Sequence, residues 1–158
     1  MIVVSDTSPL NYLLLINQID LLPRLYGQVI IPNAVYAELL SPGAPQVVNK
    51  WVLSLPGWVE VHTAPSVDLT LQLGAGESEA ITLALALKAD VLLMDERKGR
   101  REALARGLAV TGTLNILDAA AERGMIDLRE TISRLRQTSF RASPGLIREI
   151  LERESGPD

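Results

Sequence analysis

The chain contains no cysteine and a single histidine, His62. The first absence excludes disulfides, thiol catalysis and the zinc or iron–sulfur sites that thiolates build. The second excludes any metal site or catalytic dyad that needs two histidines. A chain without cysteine is also typical of a reducing compartment, so we expect a cytoplasmic protein.

Long apolar runs are missing as well. None reaches the ~18 residues that a membrane-spanning helix needs, and no basic segment precedes the first apolar stretch, as it would in a secretory signal peptide. We therefore expect no membrane association. The 158 residues suit one domain, which we predict over residues 1–154, with a disordered tail at 155–158.

Short apolar runs at intervals along the chain predict the strands of a sheet. Four of them are rich in valine, isoleucine and leucine without a clean alternation of polar residues, which is typical of strands buried on both faces of a parallel sheet. They are Ile2–Ser5, Val29–Ile31, Val91–Met94 and Leu108–Thr111. Val59–His62 is a fifth candidate strand.

Helix-start signals fall between these runs. Ser8 followed by Pro9 predicts an N-cap and a first helical residue, and Pro32 opens Asn33–Leu40 in the same way. Further helices are predicted at Glu77–Leu87, Glu96–Arg106, Thr113–Arg123, Asp127–Arg136 and Pro144–Arg153. The alternation of short strands and helices predicts a three-layer α/β/α domain with a central, mostly parallel sheet.

Acidic residues stand where two of the predicted strands end. Asp6 directly follows the first run, and Asp95 directly follows the third. The carboxyl ends of parallel strands share one edge of the sheet, and open α/β sheets bind their ligands there. The helix that begins near Glu77 runs into the strand before Asp95, so its first turn returns to the same edge. Glu38 lies on an earlier helix, and the pattern leaves its depth open.

Carboxylates gathered in one place repel one another strongly unless a cation neutralises them. Mg²⁺ and Mn²⁺ are hard cations that favour oxygen ligands. A bound ion of this kind activates water and stabilises the charge that develops on a phosphate. Several of these acids at one sheet edge therefore predict a divalent-metal site.

Each acid taken singly has another interpretation. Asp6 could be a turn or cap residue, although the predicted N-cap is already supplied two residues later. Asp95 could cap the helix that follows it. Glu77 and Glu79 could be first-turn acids that offset the helix dipole, and Glu38 could be a surface residue. Only the set, and its placement at one edge, points to a metal site.

Four segments of the sequence, in this order, resemble the motifs of PIN-domain proteins. They are Val-Val-Ser-Asp-Thr-Ser-Pro-Leu around Asp6, Ile-Pro-Asn-Ala-Val-Tyr-Ala-Glu-Leu with Glu38, Gly-Ala-Gly-Glu-Ser-Glu-Ala-Ile with Glu77, and Leu-Leu-Met-Asp-Glu-Arg with Asp95. The resemblance covers nearly the whole chain. The chain most resembles the subgroup with a Gly-Glu-x-Glu-Ala-Ile motif, and it more distantly resembles the VapC toxins of bacterial toxin–antitoxin pairs.

The resemblance implies a Mg²⁺- or Mn²⁺-dependent endoribonuclease that cleaves single-stranded RNA, as the toxin component of a toxin–antitoxin system. Its catalytic metal ligands would be Asp6, Glu38, Glu77 and Asp95. Glu79 is a candidate extra ligand. The implied partners are the RNA substrate, a small antitoxin protein and a second copy of the chain, because PIN-like proteins commonly dimerise. The apolar segments Asn11–Ile16 and Ile19–Leu25 are candidate surfaces for that second copy.

Two positions depart from the family pattern. Many PIN proteins carry aspartate where this chain has Glu77, which keeps the ligand type on a longer arm. Typical toxins also carry an acid a few residues after the fourth ligand, whereas Arg97 and Lys98 follow Asp95 and Glu96 here. Either Glu96 substitutes for that acid or the ligand is missing. A degenerate PIN fold that binds RNA or a protein without cutting therefore stays an alternative.

Other polar residues are weaker candidates. Hydroxyls that could hold water or phosphate belong to Thr7, Ser8 and Thr113. Basic residues that could contact the RNA backbone, or simply form a solvated helix face, are Arg97, Lys98, Arg100 and Arg101. Their density stands out, because the formal net charge is −4 and residues 1–80 hold only two of the 15 basic residues. A phosphatase with Asp6 as nucleophile is a third interpretation, but Ser8 stands where its second aspartate is usual.

Overall fold

The computed structural model describes residues 1–68 and 71–154, the side chain of residue 154 excepted. Within these residues the five predicted strands are present as β1 (Val3–Ser5), β2 (Val29–Pro32), β3 (Val59–His62), β4 (Val91–Leu93) and β5 (Val110–Thr111). They form one sheet in the order β3-β2-β1-β4-β5, and every neighbouring pair is parallel. The predicted three-layer α/β/α fold is confirmed. The predicted tail at 155–158 lies outside the described residues.

Nine helices lie in the described ranges and cover both faces of the sheet. They are α1 (Thr7–Leu15), α2 (Leu21–Tyr26), α3 (Asn33–Leu40), α4 (Gln46–Val52), α5 (Ala75–Leu87), α6 (Arg97–Ala105), α7 (Thr113–Glu122), α8 (Leu128–Arg136) and α9 (Pro144–Glu154). The helices predicted from the sequence are present, with ends that differ by at most two residues. No helix in the described part of the chain is long and apolar enough to cross a membrane.

The sequence patterns do not predict α4. Its seven residues include three valines, and β-branched residues weaken the local helix signal. In the fold, Val48 and Val52 lie one turn apart and are buried in the core. Asn49 donates hydrogen bonds to the carbonyls of Leu39 and Ser41 at 2.7 and 3.0 Å. Tertiary packing and this link to the end of α3 therefore stabilise the helix.

The start of α1 differs from the prediction. The helix begins at Thr7, and Asp6 occupies the N-cap position with an extended backbone. Pro9 is compatible with this earlier start, because the first amides of a helix have no partner within the helix and proline lacks only such an amide. The prediction that Ser8 is the N-cap is therefore wrong. Likewise α5 begins two residues before Glu77, which lies inside its first turn.

The sheet is packed on both faces, and successive strand residues alternate between them. Val3 and Leu93 pack against α1–α4 and α7–α9 on one face. Val4 and Leu92 pack against α5 and α6 on the other face. All four side chains are fully buried. The central strands β1 and β4 are therefore apolar on both sides, which explains why their sequences show no alternation.

The apolar residues of α1 and α2 serve this core. Leu10, Leu13 and Leu22 are fully buried in it. Leu15, with 37% of its surface exposed, is an exception. The segment interpreted as a surface for a second copy is thus used within the chain, because its apolar residues are needed to cover the sheet. The predicted homodimer loses the support of that pattern.

Lys88, the C-cap of α5, adopts a left-handed backbone with a φ of 53°. A Cβ crowds the following carbonyl in that region, so it favours glycine. Lys88→Gly should therefore raise the free energy of unfolding by roughly 0.5–1 kcal/mol, as measured by urea denaturation. The control is Ala86→Gly, which introduces the same residue inside the helix and should lower stability by about 1 kcal/mol. A loss of stability in Lys88→Gly would contradict this reading of the cap.

Candidate metal site at the carboxyl edge of the sheet

The order in which the chain adds strands to the sheet reverses between β1 and β4. The chain adds β2 and β3 on one side of β1, and α5 then carries it back to β4 and β5 on the other side. In open α/β sheets, ligands bind in the crevice that such a reversal leaves beyond the carboxyl ends of the strands. Asp6, Asp95 and Thr113 follow β1, β4 and β5 at this edge. The topology therefore brings together residues from three separate parts of the chain.

Asp6 is an acid in the interior, with 3% of its surface exposed. Burial raises the pKa of its carboxyl to about 7 from an ordinary 3.8. The hydrogen bond from the Thr7 amide lowers the pKa, and the negative charges of Glu77, Glu38 and Asp95 raise it. Asp6 is thus coupled electrostatically to the three other acids predicted with it.

Glu38 reaches the same edge from α3. Its Oε1 accepts a hydrogen bond from the Thr7 hydroxyl at 3.1 Å. Its Oε2 lies so near Gly76 that a Cβ on that residue would collide with it. Because α3 packs along α5, Glu38 touches the first turns of both α1 and α5, although much of its side chain is exposed.

Glu77 lies in the first turn of α5 and is partly buried. Burial raises the pKa of its carboxyl, the charges of Glu96 and Glu38 raise it further, and Lys98 lowers it. Its Oε2 lies 3.4 Å from the position that a Cβ would take on Gly99 in α6. Glu77 therefore connects α5 with α6 beside the other acids.

Asp95 is bound to the start of α7 rather than to α6. Its two carboxylate oxygens accept hydrogen bonds from the amide and the hydroxyl of Thr113, each at 2.7 Å. Burial raises the pKa of Asp95, while these two bonds and the Arg100 guanidinium lower it. The N-cap of α6 is Glu96, whose Oε2 accepts from the Gly99 amide at 2.7 Å. The alternative that Asp95 caps α6 is therefore wrong.

Other predicted residues have contacts of their own. Glu79 accepts a hydrogen bond from the Ala34 amide at 3.1 Å, so it binds the start of α3. The hydroxyls of Thr7 and Thr113 hold two of the acids and so act as positioning groups. Ser8 lies partly buried in the first turn of α1. The four main acids and two of the three hydroxyls thus meet at one edge, while Glu79 stabilises a neighbouring helix.

The four acids share this edge without forming a ready chelate. Among the described residues, no three acidic or histidine side chains converge as ligands of one ion. Repulsion between the charges and the hydrogen bonds to the two threonines both hold the carboxylates apart. The donors are carboxylate oxygens alone, since the lone His62 contacts Glu60 at 3.1 Å instead. Such a set suits a hard divalent cation such as Mg²⁺ or Mn²⁺.

A cavity of about 620 Å³ opens beside Asp95. Three of the four basic residues predicted to contact RNA line it, namely Arg97, Arg100 and Arg101. Lys98 instead donates to the Gln72 carbonyl at 3.1 Å. The opposite wall comes from residues 140–143 and from α9. Local patterns give no sign of that wall, because only the fold brings it near Asp95.

Asp6→Asn should stabilise the metal-free protein at alkaline pH. The folded-state pKa of about 7 lies above the ordinary 3.8, so the folded state binds this proton more tightly. The ionised Asp6 therefore destabilises the folded wild-type protein. This destabilisation is absent below pH 4, grows as the pH rises from 4 to 7, and is complete above pH 7. At its full size this destabilisation is on the order of a few kcal/mol.

Urea denaturation in EDTA at pH 5 and pH 8 measures this effect. The gain in the free energy of unfolding of Asp6→Asn over the wild type should be larger at pH 8. Glu122→Gln, at an exposed acid on α7, should show little change at either pH. The same gain for Asp6→Asn at both pH values would contradict the raised pKa.

Comparisons with known proteins bear on the family. The family model DUF3368, described as a PIN domain, matches residues 2–155. No curated protein matches. Among solved structures, a PilT N-terminus domain protein from the hyperthermophilic archaeon Sulfolobus solfataricus P2 is similar, with a TM-score of 0.50, 17% sequence identity, and 90% of this chain and 100% of that chain covered. At that identity the likeness concerns the fold alone.

PIN domains are generally nucleases that bind nucleic acid and typically use divalent metal ions. The chain therefore belongs to the PIN-domain family and has its nuclease-type fold.

Proposed function

We propose that this chain is a Mg²⁺- or Mn²⁺-dependent endoribonuclease that cleaves single-stranded RNA. One observation carries the proposal. The buried carboxyl of Asp6 is coupled to Glu38, Glu77 and Asp95 at the reversal of the sheet, and burial together with these charges raises its pKa to about 7. A divalent cation would relieve this repulsion. We therefore assign the metal-binding and catalytic roles to these four acids.

The surroundings of the four acids support this assignment. Thr7 and Thr113 hold two of them by hydrogen bonds. Gly76 lacks the Cβ atom that would collide with the carboxylate of Glu38. A bound ion would supply an activated water and would stabilise the negative charge that develops on the phosphate. The protein itself supplies four carboxylates at one edge of the sheet, which a bound ion would draw together.

The cavity beside Asp95 supports a polyanionic substrate. Arg97, Arg100 and Arg101 line it, and arginine contacts to phosphates give affinity without reading the base sequence. Arg100 also lowers the pKa of Asp95, after the two bonds from Thr113. We propose that the strand runs along this cavity with its scissile phosphate toward the acids.

Purified protein mixed with fluorophore-labelled single-stranded RNA should cleave it with Mg²⁺ or Mn²⁺ and leave it intact in EDTA. Asp6→Asn and Asp95→Asn should each lower the cleavage rate by roughly 100-fold or more, because each removes a carboxylate from the proposed ion. Glu122→Gln, on the surface of α7, should cleave at the wild-type rate. Cleavage in EDTA, or wild-type cleavage by Asp6→Asn, would overturn the proposal.

The second candidate is a PIN fold that binds RNA or a protein without cutting it. Two observations favour it: within the described residues no three acids converge on one point, and Glu96, the acid after Asp95, is used as a helix cap. This candidate would be favoured if the protein binds RNA and is thermally stabilised by Mn²⁺ but does not cleave the RNA even when the protein is in molar excess. Metal-dependent cleavage that Asp6→Asn abolishes would remove it.

The biological role is a finer proposal that rests on the resemblance to VapC toxins. We propose that the chain is the toxin of a toxin–antitoxin pair, inhibited by a small antitoxin protein, and that it forms a homodimer. Growth arrest on expression, relieved by co-expression of an adjacent small reading frame, would support the toxin role. Light scattering on the purified protein tests the dimer. Growth that is unaffected by expression would count against the toxin role.

A further inference from the structure

The cavity beside Asp95 is built from three separate segments. Its walls are α6, the start of α7 with Gly112 and Asn115, and the segment from Phe140 to Leu146. Its volume of about 620 Å³ lies in the range of small-molecule sites, ~300–1,000 Å³. Of the four acids of the candidate metal site, Asp95 alone lines this space, so most of the cavity has no role in holding a metal ion.

The lining combines positive charge with apolar surface. Its four arginines are Arg97, Arg100, Arg101 and Arg141. Its large apolar side chains include Leu104, Phe140 and Leu146, and the two leucines keep 57% and 40% of their surface exposed. Exposed leucines are common on protein surfaces, but here they line the same cavity as a group of arginines. A ligand with an anionic part and a flat apolar part would satisfy both.

The four arginines are available to such a ligand. Elsewhere Arg106 pairs with Glu102 at 2.6 Å and Arg153 with Asp118 at 3.3 Å. Over the described ranges, no arginine of the cavity lies within ion-pair distance of a carboxylate. Arg100 also interacts with Asp95, whereas the positive charge of Arg97, Arg101 and Arg141 is left for an external anion.

Arg100 lies close to Asp95 beside Gly112, at the wall of the cavity. This side chain is partly buried, and its Nη1 lies 3.0 Å from the position that a Cβ would take on Gly112. Asp95 Oδ1 lies at the same distance from that position. A side chain on Gly112 would displace both groups, so this glycine lets a cation and an acid of the metal site approach the cavity together.

Phe140 is held in a fixed orientation. Its ring meets that of Tyr12 edge to face, with centroids 5.1 Å apart and an interplanar angle of 86°. An aromatic ring held in this way offers a surface for an unstacked base, and bases splayed from single strands are bound by such stacking. Asn115 adds an amide that can donate and accept at a base edge.

We infer that this cavity binds one unstacked nucleotide of a single strand next to the scissile phosphate. Its phosphate lies on the arginines, and its base lies on Phe140 and Leu146. This inference rests on the proposed function for the location of the cut, but the binding itself needs no catalysis. The pocket would thereby determine which base flanks the cleaved bond.

The test measures the anisotropy of short fluorophore-labelled single-stranded RNA in EDTA, where binding is separated from cleavage. Arg141→Gln and Leu146→Ser each change an exposed side chain, so the fold is kept. Each should weaken binding about ten-fold, and Arg141→Gln should also lower the slope of log affinity against log salt by about one. The matched controls, Arg148→Gln on another side of α9 and Leu53→Ser at the end of α4, should bind like the wild type.

The role of the base is tested with RNA that carries one abasic position, moved along the strand. RNA that is abasic at one position should bind the wild type about ten-fold more weakly than intact RNA. In Leu146→Ser the loss at that position should be clearly smaller, because only Phe140 still contacts the base. Equal losses in both proteins, or wild-type binding by both cavity variants, would overturn the inference even if the protein cleaves RNA. Loss of binding in the cavity variants of a protein that never cleaves would support the cavity and remove the ribonuclease.

Discussion

The burial of Asp6 is the constraint around which the candidate site is arranged. Asp6 directly follows the central strand β1, and its amide donates to the Leu93 carbonyl at 2.9 Å, which extends the β1–β4 pairing past the end of the strand. That bond fixes the backbone at the position where the carboxyl is buried. The three acids that raise its pKa come from α3, α5 and the end of β4. The elements that carry them are packed in the core, which keeps these acids near Asp6.

The parallel topology also places partial positive charges of helix N-termini near these acids. Helices that follow the strands begin at the carboxyl edge, and a helix N-terminus carries a partial positive charge and free amides. Asp6 occupies the N-cap of α1, and Asp95 accepts from the first amide of α7. Glu96 binds the start of α6, and Glu79 binds the start of α3. Helix starts therefore account for the position of several acids at this edge.

This use of acids at helix starts explains some of the predictions from the sequence that failed. The strands and most helices could be predicted, because apolar runs and cap residues are local signals. The N-cap of α1 was misplaced at Ser8, and Asp95 was wrongly given as a possible cap of α6, because a sequence does not show which helix start a carboxylate reaches. Helix α4 gave no local signal, since its valines are stabilised by burial in the core.

By itself, the sequence determined the fold class, the parallel sheet and the ordered acids of the PIN family, because hydrophobic patterning and motif order are properties of neighbouring residues. The tertiary structure alone decided how deeply Asp6 is buried, which threonine holds which carboxylate, and which acids instead serve helix starts. It alone also brought the segment around Phe140 against α6 to form the arginine-lined cavity. Burial and contacts between distant segments depend on how the whole chain packs, so no local pattern carries them.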